Sequence, residues 1–300
     1  MRHARDNRRG IVMMLLAVGF LSLMDAGLKE LSARYPAFQV AALRAAASWP
    51  IIAVWAFGWH RPRELLRVRW SLHLLRGALG VSMIAAFVYG VRGLPLTAAY
   101  TLFFVAPLII TLLSRPFLGE TIGAPRWIAI VGGFAGVLVA LRPDVSGVVS
   151  WASLAVLLAA LGYAVSAITV RVLARTDSTP AMIFWLMTFI ALGAGALAAP
   201  DWVALAPRDW LVVAGVGIVG AAGQFTITEA FVRGEASVLA PLEYTALLWG
   251  VAFDVLIWHA LPGASIWVGA AIIVACGFHL LRAERSQAAR LASSEPSVQP

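Results

Sequence analysis

The stretch that decides the fold is residues 92–137, RGLPLTAAYTLFFVAPLIITLLSRPFLGETIGAPRWIAIVGGFAGV. Parts of it return later in the 300-residue chain at a nearly constant distance. Arg92-Gly93 returns as Arg233-Gly234, and Gly123 with Trp127 returns as Gly263 with Trp267. The run 31–34 matches 172–175 at the same spacing. A constant offset from one end of the chain to the other indicates a duplication of about half the chain.

Composition places the chain in the membrane. Hydrophobic residues make up 61% and charged residues 13% of the chain, and the mean hydropathy is +0.86. A soluble domain has roughly 45–50% apolar and about 25% charged residues. The net charge of +8 would suggest nucleic acid in a soluble protein, but here the arginines fall mainly between apolar runs. Membrane topology explains them better, so a lipid bilayer and no nucleic acid is the expected partner.

The pattern of apolar runs predicts an all-α polytopic membrane protein with ten transmembrane helices. About 20 apolar residues are needed for each crossing. The first run follows a basic N-terminus without a cleavage site, which predicts an uncleaved helix rather than a secretory signal. The predicted domains are an N-terminal segment 1–10, a first five-helix repeat 11–145, a second repeat 146–282 and a disordered tail 283–300. The predicted spans are 11–31, 37–57, 71–91, 95–114, 125–141, 151–172, 180–199, 209–231, 238–257 and 264–281.

The arginines and the lysine predict the orientation. With the N-terminus in the cytoplasm, 16 of the 23 basic residues fall on the cytoplasmic side and four on the other side. The positive-inside rule therefore predicts that both termini are cytoplasmic. Five spans in each repeat is an odd number, so the second copy enters the membrane upside down. Such inverted repeats can open a shared site near the midplane first to one side and then to the other.

These marks resemble the drug/metabolite transporter superfamily, in its ten-helix EamA-type branch. The resemblance rests on the duplication, on Pro107 followed by Leu118-Gly119-Glu120, and on the glycine-rich run after Trp127. The second copy departs from the pattern, because His259-Ala260 stand where the offset would place Gly119-Glu120. Within the branch the chain is similar to the YddG-like amino-acid exporters. The resemblance implies export of amino acids, aromatic ones among them, across a bacterial inner membrane.

Ionisable residues inside spans are costly and are candidates for function. Asp25 and Lys29 share one face of the first span with Ser22, and Arg44 in the second span lies at a similar depth. They would form a charged gate, or bind the ammonium and carboxylate of an amino acid. The alternative is a fixed ion pair with a lysine that extends to the membrane surface.

The ninth span carries Glu243 and Asp254 on one face. Glu243, after the break at Pro241, would bind a substrate amine or take up a coupling proton. The alternative is a hydrogen bond to a neighbouring helix. Asp254 is assigned to the gating or ion-pair group. Glu120, after the fourth span, is expected to cap the fifth helix or to bind a loop.

An uncharged polar and aromatic lining suits an amphipathic organic solute better than a bare ion. Pro107 and Pro241 are the expected hinges, since proline loosens a membrane helix. Ordinary helix packing would produce a similar pattern of small residues. The predicted substrate-binding residues are Ser22, Tyr89, Tyr100, Phe104, Tyr163, Gln224, Glu243 and Tyr244.

No enzyme signature is found in the sequence. It has no His-Glu-x-x-His, no P-loop and no metal-ligand cluster, and its single cysteine, Cys276, excludes an internal disulfide framework. We therefore expect a monomeric exporter of small organic metabolites, chiefly amino acids, that needs no cofactor and works by alternating access. The alternatives are a multidrug or cationic-compound exporter and, from another class, an intramembrane enzyme acting on lipid-like substrates.

Overall fold

The protein is described by a computed structural model over residues 6–59, 65–93, 102–141, 150–256 and 263–294. These residues are helical and contain no strand. The helices are α1 Asn7–Ser32, α2 Ala37–Trp59, α3 Trp70–Gly93, α4 Ala106–Leu118, α5 Ala124–Leu141, α6 Trp151–Leu173, α7 Thr179–Ala198, α8 Trp210–Arg233, α9 Ala236–Leu239, α10 Ala246–Leu256 and α11 Ala264–Ser294.

Within the described residues, six helices are long and apolar enough to cross a membrane: α1, α2, α3, α6, α7 and α8. Three shorter apolar helices stand at the fourth, fifth and tenth predicted spans. The ninth span is broken into α9, a 3-10 helix Ala240–Thr245 and α10. The predicted ten-helix, all-α fold is confirmed.

Two spans end later than predicted. The fourth was predicted to end at 114, but α4, which follows a turn at 104–105, runs from Ala106 to Leu118 and ends at Gly119, whose φ of 67° is left-handed. Glycine adopts that conformation without steric cost, so the chain can turn sharply there. The tenth was predicted to end at 281, but α11 continues to Ser294, into the segment predicted to be a disordered tail. That segment is rich in alanine and arginine, which favour helix.

The helices pack in pairs that follow a two-fold relation between the repeats. α1 packs on α8, and their counterparts in the other repeat, α6 and α3, also pack on each other. In the same way α2 on α8 corresponds to α7 on α3, and α4 on α6 corresponds to the ninth span on α1. α2 with α7 and α5 with α11 are pairs of counterparts. The fold is therefore two inverted five-helix repeats.

The register between the helices obeys the same relation. Leu21 of α1 contacts Gly223 of α8. The offset that relates Arg92 to Arg233 carries these two positions to Gly162 of α6 and Ser82 of α3. Gly162 contacts Met83 and Leu79, which flank that position on α3. The duplication visible in the sequence is thus preserved in the side-chain packing.

The connections between helices lie at two ends of the bundle. One, here called the basic end, brings together the start of α1 with 233–235, Arg69 with Asp177, and Glu120 with 236–237. The other, the opposite end, joins Tyr35 to Asp209 and Gln39 to Val203. If each helix crosses the bundle once, successive connections must alternate between the two ends.

The opposite end is held by buried polar contacts. Gln39 donates to the Val203 carbonyl at 2.6 Å and accepts the Val203 N–H at 2.9 Å. Asp209 accepts the Tyr35 hydroxyl at 2.7 Å and lies 3.1 Å from an Arg34 nitrogen. Gln39 and Asp209 are buried, so these bonds are protected from competing water. They tie the α1–α2 corner to the α7–α8 connection.

The basic end holds a second buried cluster. Asp177 accepts hydrogen bonds from Thr176 at 2.6 Å, His73 at 2.8 Å and the Arg69 N–H at 3.0 Å. Burial alone would raise the pKa of the Asp177 carboxyl, but these bonds outweigh it and hold the pKa below its usual range. Arg76, also buried, donates to the Met182 carbonyl at 3.1 Å. The cluster joins α3 to the start of α7.

Candidate functional site

The ninth span is broken at the point where it carries its acidic residue. α9 covers only one turn, and the 3-10 helix that follows contains Pro241 and Glu243. Proline has no N–H to donate, and 3-10 hydrogen bonds have poorer geometry than α-helical ones. Few internal bonds therefore fix this backbone, and the surrounding helices determine where Glu243 points.

Glu243 meets Tyr163 of α6. The Tyr163 hydroxyl donates to Glu243 Oε1 at 3.1 Å. In the described part of the chain this is the hydrogen bond found for the Glu243 side chain, and no arginine or lysine pairs with it. Both residues are partly buried within the bundle. A carboxylate that has no cationic partner among the described residues can accept one from a ligand.

An aromatic row leads to this pair. The Phe87 ring of α3 contacts the Phe103 ring edge-on at a centroid distance of 5.5 Å. Phe103 in turn lies 5.7 Å from the Tyr163 ring. The row therefore joins three parts of the chain and ends at the Glu243 carboxylate. Aromatic faces attract cations and also pack well against flat apolar groups.

Tyr244 forms the wall behind Glu243. Its residue is fully buried, and its ring contacts Phe104 edge-on at 5.8 Å. A Cβ at Gly133 of α5 would collide with Tyr244 Cδ2, so the ring occupies the space that this glycine leaves open. The Tyr244 hydroxyl has no hydrogen-bond partner among the described residues. A buried hydroxyl without a partner is costly and gains by meeting a polar ligand group or water.

Asp25 and Arg44 face each other at one level of the bundle. Asp25 lies seven residues before the end of α1 and Arg44 seven residues after the start of α2, each about 10 Å from the helix end at 1.5 Å per residue. The two charges attract each other, but no direct ion pair joins them in the part of the chain that is described. The arrangement leaves an acceptor and a donor for separate groups.

The other predicted residues are placed as follows. Gln224 of α8 is nearly buried and donates to Thr228 at 3.2 Å, while Ser22 of α1 is partly buried. Tyr89 is 57% exposed on α3. The Lys29 carbonyl accepts the Ser32 hydroxyl at 3.0 Å.

Some predictions concern residues that are described in part or not at all. Tyr100 lies outside the described residues, as do His259 and Ala260. Only the backbone of Asp254 is described, within α10. Pro107 lies in the first turn of α4, where its missing N–H costs nothing, rather than within a helix.

Sequence reasoning missed two members of the aromatic row. Phe87 and Phe103 were not singled out, because a continuous helix through 95–114 places Phe104 on the polar stripe and Phe103 off it. In the structure a turn at 104–105 separates the helical residues 102–103 from α4, so the helical phase of α4 does not extend to Phe103. Pro107 was the available signal, since proline is common at the start of a helix. Arg126, Arg171 and Ser237 were also missed, and they contact Glu120 or its partners.

The described residues hold no group of three His, Cys, Asp or Glu side chains that could bind a metal ion. Among the described residues, the Glu243 carboxylate, a row of aromatic rings from both repeats and the unpartnered Tyr244 hydroxyl lie in one region of the bundle. Inverted-repeat membrane proteins form a class of solute carriers. The chain belongs to the EamA-like transporter family, which matches residues 8–142 and again residues 150–281.

Curated relatives are transporters of small metabolites. The chain is 28% identical over 272 residues to the pseudopaline exporter CntI of Pseudomonas aeruginosa, covering 90% of this chain and 95% of that protein. It is 31% identical over 215 residues to a riboflavin transporter of Vibrio cholerae, covering 71% and 72% of the two chains. An S-adenosylmethionine uptake transporter of Rickettsia felis is 27% identical over 286 residues, covering 95% and 97%.

A solved crystal structure has the same fold. It matches with a TM-score of 0.79 over 92% of this chain and 98% of the other, at 20% sequence identity. The family match makes the protein a multi-pass membrane transporter, and the relatives carry small organic molecules of different kinds.

Proposed function

We propose that the protein exports amino acids, aromatic ones among them, across the bacterial inner membrane as a monomer with both termini in the cytoplasm. The observation that carries the proposal is the Glu243 carboxylate, which has a tyrosine hydroxyl but no cation as its partner among the described residues. An amino acid would present its ammonium group to Glu243 and its side chain to the row of Phe87, Phe103 and Tyr163. Alternating access between the two inverted repeats would carry it across.

The chemistry of the site favours an ammonium group. A hydrogen bond from an ammonium to a carboxylate is charge-assisted and roughly twice as strong as a neutral one. It would displace the Tyr163 hydroxyl, which could then donate to another acceptor on the substrate. Cation–π attraction to nearby rings would add about 0.5–2 kcal/mol. These contributions offset part of the free-energy cost of removing the ammonium from water.

The carboxylate of an amino acid needs a cation. Arg44 is the candidate, because it is attracted to Asp25 while no direct ion pair joins the two side chains among the described residues. When the substrate passes Arg44, its carboxylate would take the place of Asp25 as the charged group beside the guanidinium. Asp25 and Arg44 thus support a gate that recognises a zwitterion, and Glu243 supports the site that holds its ammonium.

The named relatives fit a site of this chemistry. S-adenosylmethionine joins an amino-acid group to an aromatic base, and riboflavin carries a flat ring system. Aromatic walls accept such rings by stacking. Because the relatives transport different substrates, the family fold alone does not determine the substrate.

Counterflow of radiolabelled phenylalanine in proteoliposomes tests the proposal. Glu243→Gln keeps the shape of the side chain and removes its charge, so we expect transport to fall at least about tenfold, the equivalent of ~1.4 kcal/mol. Asp201→Asn is the control, because Asp201 is exposed in the connection after α7. Transport by Glu243→Gln equal to that of the wild type at every pH from about 5 to 9, a range that spans unperturbed carboxyl and histidine titration, would refute the role of Glu243.

A cationic-compound exporter is the second candidate, and the same unpaired carboxylate favours it. The two are separated by comparing phenylalanine with phenethylamine, which lacks the carboxylate. Under the amino-acid proposal Arg44→Gln impairs phenylalanine counterflow, and phenethylamine is a poor substrate. Counterflow of phenethylamine that exceeds that of phenylalanine and is unaffected by Arg44→Gln would favour the cationic-compound exporter.

A further inference from the structure

The first turn of the ninth span is capped by a residue of the other repeat. Glu120, in the connection between α4 and α5, accepts the N–H of Ala236 through Oε1 and the N–H of Ser237 through Oε2, each at 3.0 Å. The Ser237 hydroxyl also donates to Oε2, at 2.8 Å. The first N–H groups of a helix have no partner within the helix. Glu120 thus supplies a cap to α9 across 116 and 117 residues of sequence.

The residue that would normally cap α9 is engaged elsewhere. Glu235 stands at the N-cap position but makes no cap hydrogen bond. Its Oε2 lies 2.5 Å from Arg126 Nη2, and Arg126 also donates to the Ser237 hydroxyl oxygen at 3.0 Å. The Ser237 hydroxyl therefore donates to Glu120 while it accepts from Arg126. The junction is thus a connected set of polar contacts between the two repeats.

The Glu120 carboxylate is buried and its charge is balanced. Its side chain has no exposed surface, and Arg171 Nη2 of α6 lies 3.6 Å from Oε1. Arg171 also donates to the carbonyls of Phe231 and Val232, near the end of α8. A buried carboxylate that lost these donors would carry an uncompensated charge, so the junction forms or breaks as a unit.

The capped turn continues directly to Glu243. Val238, Leu239 and Ala240, which follow the cap, are fully buried, so this stretch cannot shift without moving its neighbours. Helix α6 contacts the segment directly through Tyr163 on Glu243, and it contacts the capping residue through Arg171 beside Glu120. The two α6 residues are eight positions apart, about 12 Å along a helix. The segment is held at both ends of this interval.

We propose that Glu120 is a positioning residue for substrate binding. It holds residues 236–245 in the register that sets Glu243 opposite Tyr163, and it acts on the substrate only through Glu243. The inference rests on the proposed function, in which Glu243 receives the substrate ammonium. Glu120 belongs to the first repeat, whereas the segment that it positions belongs to the second.

Hydrogen–deuterium exchange tests the structural part without any substrate. Glu120→Gln places an amide NH₂ against backbone donors and removes the charge that Arg171 neutralises. We expect exchange at 236–245 to become at least about tenfold faster, the equivalent of ~1.4 kcal/mol, because a charged hydrogen bond is lost. Ser237→Ala, which keeps the charge and both amide bonds, should show a smaller change in the same direction. Ser286→Ala on α11 is the control, because the exposed Ser286 hydroxyl donates to the Arg282 carbonyl of its own helix.

Transport kinetics test whether Glu120 acts through Glu243. We expect Glu120→Gln to raise KM for phenylalanine about fivefold or more with Vmax little changed. In a Glu243→Gln background the same substitution should have no further effect on KM, because residues that act as a unit are non-additive. The Glu120→Asp variant, one methylene too short to reach both amides, should behave like Glu120→Gln.

Two results would overturn the proposal. One is unchanged exchange at 236–245 in a monodisperse Glu120→Gln protein. The other is an equal loss in KM with and without the Glu243 carboxylate, which would make Glu120 a general structural residue. If hydrogen–deuterium exchange depends on Glu120 but the protein does not transport amino acids, the cap is supported and only the proposed substrate is refuted.

Discussion

Gly133 and Tyr244 show how a missing side chain positions a buried ring. The Tyr244 ring lies where a Cβ at position 133 would be, and its residue is fully buried. Tyr244 follows Glu243 directly, so a shift of the ring would also move the carboxylate. The glycine is therefore part of the site although it offers no functional group.

We expect Gly133→Ala to destabilise the protein and to weaken transport. Overpacking of this kind costs about 1–3 kcal/mol, which corresponds to a fall in Tm of roughly 2–10 °C for a chain of this size. Thermal unfolding in lipid nanodiscs, followed by tryptophan fluorescence, measures it. Gly195→Ala is the matched control, because nothing lies within 4 Å of a Cβ there. Equal melting temperatures for the two variants would contradict the role assigned to the Tyr244 ring.

Sequence reasoning identified single residues of the site better than their partners. Glu243 stood out because a carboxylate inside an apolar span is costly, and Tyr163 as one member of a polar and aromatic lining. Their hydrogen bond, and the contacts of Glu120 with Ala236 and Ser237, join positions that are 80, 116 and 117 residues apart. One sequence contains no signal for such pairs. Glu120 was expected to cap the fifth helix or bind a loop, whereas it caps α9.

At the scale of the element, the ninth span combines α-helical and 3-10 segments between Ala236 and Leu256. Its α-helical first turn is capped by Glu120, its 3-10 part carries Glu243, and α10 completes the crossing. The 3-10 geometry turns Glu243 and Tyr244 differently from a continuous α-helix. Irregular backbone at membrane depth is tolerated where it is buried in protein or lines a cavity.

Replacing Pro241 should test this geometry. Pro241→Ala restores an N–H and lets residues 236–256 form a continuous α-helix, which would rotate Glu243 away from Tyr163. We expect phenylalanine counterflow to fall about fivefold or more, the equivalent of roughly 1 kcal/mol, while thermal stability is kept or increased. Pro207→Ala is the control, since Pro207 is exposed in the connection before α8. Undiminished transport by Pro241→Ala would show that the break is not needed.

Hydropathy predicted that these elements exist but not where they are interrupted. An apolar run long enough to cross the bilayer has the same composition whether it is one helix or two. The fourth and ninth spans, which are counterparts in the two repeats, are the ones that are interrupted within the described residues. Both contain the prolines predicted as hinges, so proline position was the better guide. The helical extension of α11 depends on propensity, which hydropathy does not measure.

At the scale of the whole molecule, the duplication read from the sequence accounts for how the helices are paired. The offset between the repeats relates the α1–α8 pair to the α6–α3 pair in partners and in register. Glycines on α1, α3, α5 and α8 allow close approach, which stabilises helix pairs in a membrane through van der Waals contact. Substrate cannot be derived at this scale, because symmetry and packing serve many solutes.

Cysteine labelling in intact cells tests the membrane orientation. In a Cys276→Ser background we expect Ala204→Cys, at the opposite end, to react with an impermeant maleimide added outside the inner membrane. Arg175→Cys, at the basic end, should react only after the membrane is opened, because the positive-inside rule places that end in the cytoplasm. Both positions are exposed. The reverse pattern would mean that the protein has the opposite orientation in the membrane, so the proposed transport direction would be reversed. Equal reactivity from outside would contradict the inverted arrangement.

The contact of the chain's first turns with its eighth helix has a consequence for biosynthesis. The Asp6 N–H donates to the Arg233 carbonyl at 3.1 Å, and Asn7 Oδ1 accepts the Glu235 N–H across 228 residues. At about 5–20 residues per second, a ribosome needs roughly 10–45 s to make the partner after the first helix has emerged. During that interval the glycines of α1 lack the partners that they meet in the folded protein, which are all made later in the chain. Assembly of the carrier must therefore wait until most of its polypeptide is inside the membrane.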